Sequence, residues 1–527
     1  MRSTFMGLET AKRGMFTQQG ALYVTGNNIS NVNTPGYTRQ RANMIQTDTY
    51  PYSGMNRPGI PGQIGTGVTT GSIERVRDSF LDTQFRQQSN SMGYYGAMSD
   101  SLTKIEQIMN EPSTSGLQNA MDKFWNSLQT LAANTENSGA RDVVASSGQA
   151  VADVFNYYYN SLTRVKDDID SQIDVRVTDI NQTLKSISEL NKQIAESEPH
   201  GYLPNDLYDQ RDELIDKLSS MVNIKVSNVK PDNYGLALPQ ADGLINIELV
   251  KEDGKSYDPP INLVSASKER GNEGYNEVSI SKDTATGAVN GIKVGTETIA
   301  PKNFDKSGEL AALIQNFGYM DGTDVKGKYP EMLDKLNKMA FAFATEFNAI
   351  HAKGYALNEE SIPTDNADGK LNFFEFDPND PAKSLRVKDS ITDDPASIRA
   401  GDGNGDAGNN KNAQALANLK TLSFDKYSTK GNAGFPTDLT GNIDSYYSGV
   451  IGKLGVESQS AAQNLKNAYT IASSVDQNRQ SVSAVSLDEE MVNMIKFQHA
   501  YNASARNITI IDEMLDKIIN GMGVGGR

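Results

Sequence analysis

SLDEEMVNMIKFQHAYNASARNITIIDEMLDKIINGM, residues 486–522, is the stretch whose reading decides the fold. Ser486 and Glu489 have the spacing of a capping box, in which each side chain satisfies a backbone N–H at a helix start. Asn520 followed by Gly521, Gly523, Gly525 and Gly526 marks the stop. Between those ends the apolar positions run Leu487, Met491, Met494, Phe497, Tyr501, Ile508, Ile511, Leu515, Ile518 and Met522, with Ser504 keeping the step. Steps of three and four residues give the near-heptad period of a coiled-coil seam. Such a stripe has too little apolar surface to stand alone and requires a partner helix.

The other end of the chain offers one. Leu8, Met15, Leu22 and Ile29 sit seven apart, and Ala11, Gln18, Thr25 and Val32 fill the alternate positions. Charge agrees with a pairing of the two ends. Arg2, Lys12, Arg13, Arg39 and Arg41 outnumber Glu9 in the N-terminal segment, whereas Asp488, Glu489, Glu490, Asp512, Glu513 and Asp516 outnumber Lys496, Arg506 and Lys517 near the C-terminus. Gly7, Gly14, Gly20 and Gly26 each weaken an isolated N-terminal helix. Both ends are therefore expected to order against neighbouring subunits rather than alone.

Composition narrows the class. The 527 residues are enough for several domains, and the formal charge of −16 argues against nucleic acid or an anionic membrane as the main partner. The chain has no cysteine, which excludes disulfides, thiolate catalysis and Cys-ligated metal. No run approaches the ~20 apolar residues of a membrane span. Lys12, Arg13, Gln18 and Gln19 interrupt the region where a cleaved signal peptide needs an apolar core.

Along the chain, Asn27 to Tyr37 contains Thr34-Pro35-Gly36-Tyr37, where Pro35-Gly36 suits the centre of a type II turn and the asparagines favour helix fraying and local capping. Residues 38–72 read as extended. Helical periodicity is expected from Ile73, broken around Pro112, through Leu131, then from about Arg141 to Ile194 and from Asp206 to Met221. The period changes to two at Asn223, returns to helix at 308–316, 330–351 and 443–479, and leaves 354–440 rich in Gly, Asp and Asn. The fold class is α+β multidomain, with terminal helical coiled-coil and helical-bundle domains and β-rich insertions in mid-chain. The expected division is 1–55 with 485–527 as a terminal coiled-coil domain and 56–222 with 305–353 and 441–484 as a helical core. The insertions are 223–304, β-rich, and 354–440, rich in β and loop.

Catalytic and metal signatures are weak. His200, His351 and His499 are far apart in sequence, and the helical positions of His351 and His499 favour a surface or satisfied core role. Asp402-Gly-Asn404-Gly-Asp406 resembles the start of a calcium loop, but Ala407 stands where that loop needs Gly and Ala413 where it needs a bidentate Glu. Gly62 to Gly67 lacks the Lys-Ser/Thr of a phosphate loop. No cofactor and no catalytic set is assigned, and the chain reads as a structural protein rather than an enzyme.

Asn27-Asn28-Ile29-Ser30-Asn31 through Thr34-Pro35-Gly36-Tyr37 resembles the N-terminal signature of the axial proteins of the bacterial flagellum, the rod, hook and hook-associated proteins. Ser486 to Met491, Phe497 to Arg506 and Ile511 to Leu515 are similar to their C-terminal signature. Ser3 to Glu9, Phe124-Trp125-Asn-Ser-Leu128, Asn205-Asp-Leu-Tyr-Asp-Gln-Arg211-Asp-Glu-Leu and Ser307-Gly-Glu-Leu310 resemble the hook-filament junction family, the first hook-associated proteins. The resemblance implies a flagellar structural subunit exported by the type III route without a cleaved signal. It also implies four partners: further copies in a ring or helical layer, the hook protein, the second junction protein (hook-associated protein 3), and an export chaperone on the C-terminal helix. The assembly interface is expected at Leu8, Met15, Leu22, Ile29, Leu487, Met491, Met494, Phe497, Tyr501, Ile508, Ile511, Leu515 and Ile518. The rival readings are a hook or rod protein, which shares both terminal signatures, and a junction-like protein with an enzymatic or adhesive insertion. The long internal helices favour the junction family.

Overall fold

The computed structural model describes residues 5–51, 62–109, 113–114, 116–268, 273–304, 308–357, 359, 369–402, 408–423, 436 and 439–521. Twelve helices, among the described residues, carry the architecture: α1 (Phe5–Ser30), α2 (Ser79–Met109), α3 (Leu117–Ala133), α4 (Ser138–Ser197), α5 (Asn205–Met221), α6 (Glu309–Phe317), α7 (Lys328–His351), α8 (Pro381–Ser384), α9 (Asp389–Asp393), α10 (Lys411–Asn418), α11 (Ile443–Ser483) and α12 (Leu487–Gly521). The strands are β1 (Gln40–Gln46), β2 (Val68–Arg75), β3 (Ile224–Val229), β4 (Leu244–Val250), β5 (Ser256–Ser265), β6 (Gly274–Tyr275), β7 (Val278–Lys282), β8 (Val289–Val294), β9 (Glu297–Ile299), β10 (Tyr319–Asp321), β11 (Asp324–Lys326), β12 (Phe374–Glu375) and β13 (Arg386–Val387). The fold is α+β and multidomain. The chain forms two compact units, Met1–Ser91 with Asp179–Glu277 and Ala468–Arg527, and Met92–Thr178 with Val278–Asn467.

In the first unit α1 lies against the antiparallel pair β1–β2, which runs from Gln40 opposite Arg75 to Gln46 opposite Val68 with an irregularity at Asn43/Met44. Ile73, read from the sequence as the start of a helix, is in β2 and faces Ala42 across the ladder. The pairing with residues 40–46 overrides the local 3.6-residue pattern, and the helix begins at Ser79. The antiparallel sheet β3-β4-β5-β6 follows α5. Ile194 and Ala195 of α4, Tyr208 of α5 and Leu244 of β4 form one buried cluster of this unit.

The second unit centres on six fully buried rings, Phe124, Trp125, Phe343, Phe347, Phe373 and Phe374. Phe124 meets Phe347 at 5.3 Å and Phe374 at 5.9 Å between centroids, and Phe343 meets Phe374 at 5.1 Å. Asn348 fixes the loop that brings in the last two rings, accepting from the N–H of Phe373 at 2.9 Å and of Phe374 at 2.8 Å. Strands β7, β8, β10 and β11 form a sheet with β9 paired to β8. The expectation of one β insertion over 223–304 is therefore corrected. β3–β6 belong to the first unit, whereas β7–β9 belong to the second, because β8 takes β10 from beyond residue 304 as a parallel neighbour. The described parts of 354–440 hold the single pair β12–β13 and the short helices α8–α10, so helix and loop outweigh strand there. The calcium-like stretch 403–407 lies outside the described residues.

His351 is the satisfied core histidine of the two roles the sequence allowed. Its Nδ1 lies 2.7 Å from the Leu371 carbonyl oxygen, and Nε2 accepts from the Arg399 N–H at 3.1 Å, so Nδ1 carries the proton. Burial, opposed by the Leu371 hydrogen bond and reinforced by Arg399 and Arg141, pushes its pKa down to about 4. Between about pH 6.5, where an unfolded histidine titrates, and about pH 4, the unfolded chain binds the extra proton. Stability is thus complete above that window and is lost as pH falls through it, by roughly 3 kcal/mol. Unfolding free energies measured from pH 7 to 4 are expected to show this slope, flattened in His351→Asn. A second expectation concerns Gly148 of α4. In an open helix Gly→Ala stabilises by about 1 kcal/mol, but here a Cβ would stand 2.9 Å from Phe373 Cε1 and 3.2 Å from Phe124 Cε2. Gly148→Ala is expected to lower the urea midpoint, by an overpacking cost of about 1–3 kcal/mol.

Candidate assembly surface

The two ends of the chain pack on each other through small residues. A Cβ on Gly7 would lie 3.2 Å from Ile511 Cδ1, and one on Gly14 would lie 3.1 Å from Ser504 Oγ. A step of seven forward on α1 is a step of seven backward on α12, so the helices are antiparallel and keep a heptad register. Ala11 and Ala21 are buried and share the face of Gly7 and Gly14 by spacing. The glycines that weaken α1 in isolation are thus the residues that let α12 approach. Part of the partner surface that each end requires is therefore in the same chain.

On α12 the structure brings Met494, Phe497, Tyr501, Ile508, Ile511 and Leu515 together with Ser504 as a half-buried seam. Leu487, Met491 and Ile518, expected on the same stripe, are exposed. On α1 the expected residues Leu8, Met15, Leu22 and Ile29 are half-buried and lie beside the glycines that α12 approaches, and Ala11 and Thr25 of the alternate positions are buried. Glycine carries no hydropathy signal that would reveal its part in the seam.

Arg39 fixes the base of α12. Its Nε donates to Glu490 Oε1 at 2.8 Å, and Nη1 and Nη2 donate to the two oxygens of Glu489 at 2.9 and 2.6 Å. The Arg39 N–H also donates to the Ser483 carbonyl at 2.9 Å, at the end of α11. Glu490 is the one buried residue of α12. The attraction expected between basic and acidic ends is carried here by Arg39, whereas Lys12 and Arg13 pair with Glu9 inside α1. Glu489, expected in a capping box, has its carboxylate engaged by Arg39; the Ser486 carbonyl accepts from the Glu490 N–H at 2.9 Å.

The signature segment after α1 has a defined job. The Tyr37 N–H donates to the Thr34 carbonyl at 3.3 Å and Gly36 has φ +77°, which gives the type II turn expected at Pro35-Gly36. Asn28 does not fray the helix. It is buried, its Nδ2 donates to the Gln40 carbonyl at 2.8 Å, and its Oδ1 accepts from the Gln40 N–H at 3.0 Å and from Tyr37 Oη at 2.8 Å.

Below the turn lies a lattice of ion pairs that no periodicity could reveal, since its members come from β2, the segment after it, α2, α5, α11 and the loop before β4. Asp212 accepts from Arg75 Nη1 at 2.8 Å and Arg86 Nη2 at 3.2 Å, and lies 3.2 Å from Arg77 Nη1. Arg75 also reaches Asp209 at 2.9 Å and Asp242 at 2.5 Å, and Arg479 reaches Asp216 at 2.5 Å. Asp209 Oδ2 in turn accepts from the Thr38 N–H at 3.0 Å, tying the lattice to the turn. Burial raises the Asp212 carboxyl, but Arg77, Arg75, Arg86 and Arg211 outweigh it and hold it well below the usual carboxylate range. Burial wins at Asp209, whose pKa is raised despite Arg75. These residues carry the Asn205-to-Leu214 motif, which is therefore a structural joint. Among the described residues no group of three or more side chains could hold a metal ion.

Comparison with known proteins coincides with these elements. The model for the flagellar hook-associated protein FlgK helical domain matches residues 102–365. Models for the flagellar basal body rod FlgEFG protein C-terminal and for the flagella basal body rod protein match 476–521 and 8–38, which contain α12 and the bulk of α1 with its turn. The chain is 45% identical to flagellar hook-associated protein 1 of Bacillus subtilis over 100% of both chains. It is 26% identical to that of Escherichia coli over 97% of this chain and 99% of the other. The solved structure of the flagellar hook junction protein FlgK from Burkholderia pseudomallei shares the fold, with a TM-score of 0.53 and 14% identity over 77% of this chain and 100% of that one.

Asp212→Asn is expected to destabilise by about 3–5 kcal/mol, because three arginines lose a buried counter-charge. The native contribution of Asp212 is present above pH ~4 and is lost as pH falls below it. Acid unfolding of the variant, followed by circular dichroism below pH 4, should accordingly be shallower than that of the parent.

Proposed function

The chain belongs to the flagellar hook-associated protein 1 family, and on that premise we propose that it is the structural subunit that joins the hook to the filament of the bacterial flagellum. The observation that carries this reading is the surface of α12. Its seam is half-covered by α1, yet Met491, Val492, Ile495, Met514 and Ile519 are each more than half exposed, an apolar helix surface that only association would cover. Residues 1–55 with 485–527 supply the assembly element, and it is further copies in a ring or helical layer that cover it. The hook protein meets one side of this layer and hook-associated protein 3 the other, through heterologous contacts. An export chaperone masks the amphipathic C-terminal helix before assembly. Export proceeds without a cleaved signal, in keeping with Gly7 and Gly14 being part of the seam. Among the described residues no helix is long and apolar enough to cross a membrane.

Removal of the gene is expected to leave hooks without filaments and to release flagellin into the medium. Normal filaments would contradict the reading. Ile508→Asp, on the seam, should abolish filament attachment while leaving the urea unfolding of the remaining helices unchanged.

A further inference from the structure

Two loops of the first unit, between α4 and α5 and between β3 and β4, meet at a tip that presents Tyr202 and Leu236, 70% and 77% exposed. A lone exposed leucine is ordinary. This pair is held on a fixed backbone. The Leu236 N–H donates to the Pro199 carbonyl at 2.9 Å, and the Asp232 N–H donates to the Lys268 carbonyl at 2.9 Å. Gly235 has φ +61°, and a Cβ there would stand 2.8 Å from the Pro199 carbonyl oxygen, so the loops approach as closely as a bare backbone allows. Asn233, two residues earlier, is the one non-glycine residue of positive φ among the described residues. A partner that covered the tip would therefore bury apolar surface at little cost in ordering.

The same unit carries a pocket of about 460 Å³ beside the turn after α1, with Val32, Pro35, Phe85, Ala484 and Val485 as apolar lining and Glu213 of α5 among its polar groups. That volume is ample for two large side chains. The arginines that line it are paired within the ion-pair lattice. Glu213 has no hydrogen bond or ion pair among the described residues, and neither has the Tyr202 hydroxyl.

We infer that the Tyr202–Leu236 tip of one copy seats in this pocket of the next, its two side chains against the apolar lining and the Tyr202 hydroxyl donating to the Glu213 carboxylate. The tip does not reach its own pocket, because Asn205 and Glu213 are about 12 Å apart along α5. Two observations make a second copy the occupant. Tip and pocket are complementary, donor to unpaired acceptor and apolar to apolar, and the Ala484–Val485 wall leads directly into α12, the surface already assigned to contacts between copies. Each copy uses its tip toward one neighbour and its pocket toward the other, so the contact is heterologous and propagates instead of closing a two-fold dimer. The inference rests on the assembly role proposed above and adds a contact outside the terminal helices.

The absence of native cysteine allows a direct test by thiol crosslinking. Leu236→Cys, Ala484→Cys and the double variant are each supplied to a strain lacking the gene, and isolated hook-filament structures are treated with a short bismaleimide. The double variant is expected to give a ladder at multiples of the chain mass, and each single variant a monomer. A dimer from either single variant would mean that like meets like, and an adduct with a different protein would mean another occupant; both overturn the inference. So would a double variant that is present in the structures by immunoblot and gives no ladder. That immunoblot reports the assembly role separately, since absence of the parent chain from the structures would overturn that role instead. Tyr202→Ala in the double-cysteine background should weaken the ladder several-fold while leaving the urea midpoint of the free chain unchanged, and Glu213→Ala should weaken it as well. An undiminished ladder in either would contradict the proposed seat.

Discussion

The absence of side chains at Gly7 and Gly14 is the constraint on which the rest of the molecule depends. It allows the backbone of α1 to approach Ile511 and Ser504 closely enough for chain ends some five hundred residues apart to form one antiparallel, heptad-registered pair. A helix pair of this kind buries little. The buried positions of α1 are, Val24 apart, small or polar, and Glu490 is the one buried residue of α12. The pair is therefore a shaped but half-dry surface, held at its base by charge and left apolar along its outside.

That base is rigid for a different reason. Asp212 and its arginines gather segments far apart in sequence into a lattice whose charges are buried and mutually satisfied. Thr38 and Asp209 connect it to the turn after α1, and Arg39 connects the turn to α12. Buried ion pairs contribute modest net stability compared with apolar packing, but breaking one is costly. Their effect here is to specify where the helix pair is rooted.

Much of this was legible in the sequence, and the misses have physical causes. The period of α12, the turn at Pro35-Gly36 and the long internal helices follow from local rules, and the structure has them. Ile73 was misread because a strand partnered by residues 40–46 also carries apolar residues at helical spacing. Hydropathy ranks Leu8 and Met15 above Gly7 and Gly14, so the close approach of α12 at the two glycines left no signal in the sequence. The β-rich stretch 223–304 read as one insertion because strand order within a sheet is a non-local property. The motif from Asn205 to Leu214 stood out only by family resemblance, since ion pairs between α5 and β2 leave no periodic trace.

The central claim is that the α1–α12 pair is an incomplete surface finished by other copies. Amide hydrogen exchange of α12 in the free chain and in isolated hook-filament structures tests it most directly. The account predicts weak protection from Met491 to Ile519 in the free chain and strong protection in the assembly, with the amides of α5 equally protected in both. Protection of α12 that is already strong in the free chain and unchanged on assembly would contradict it.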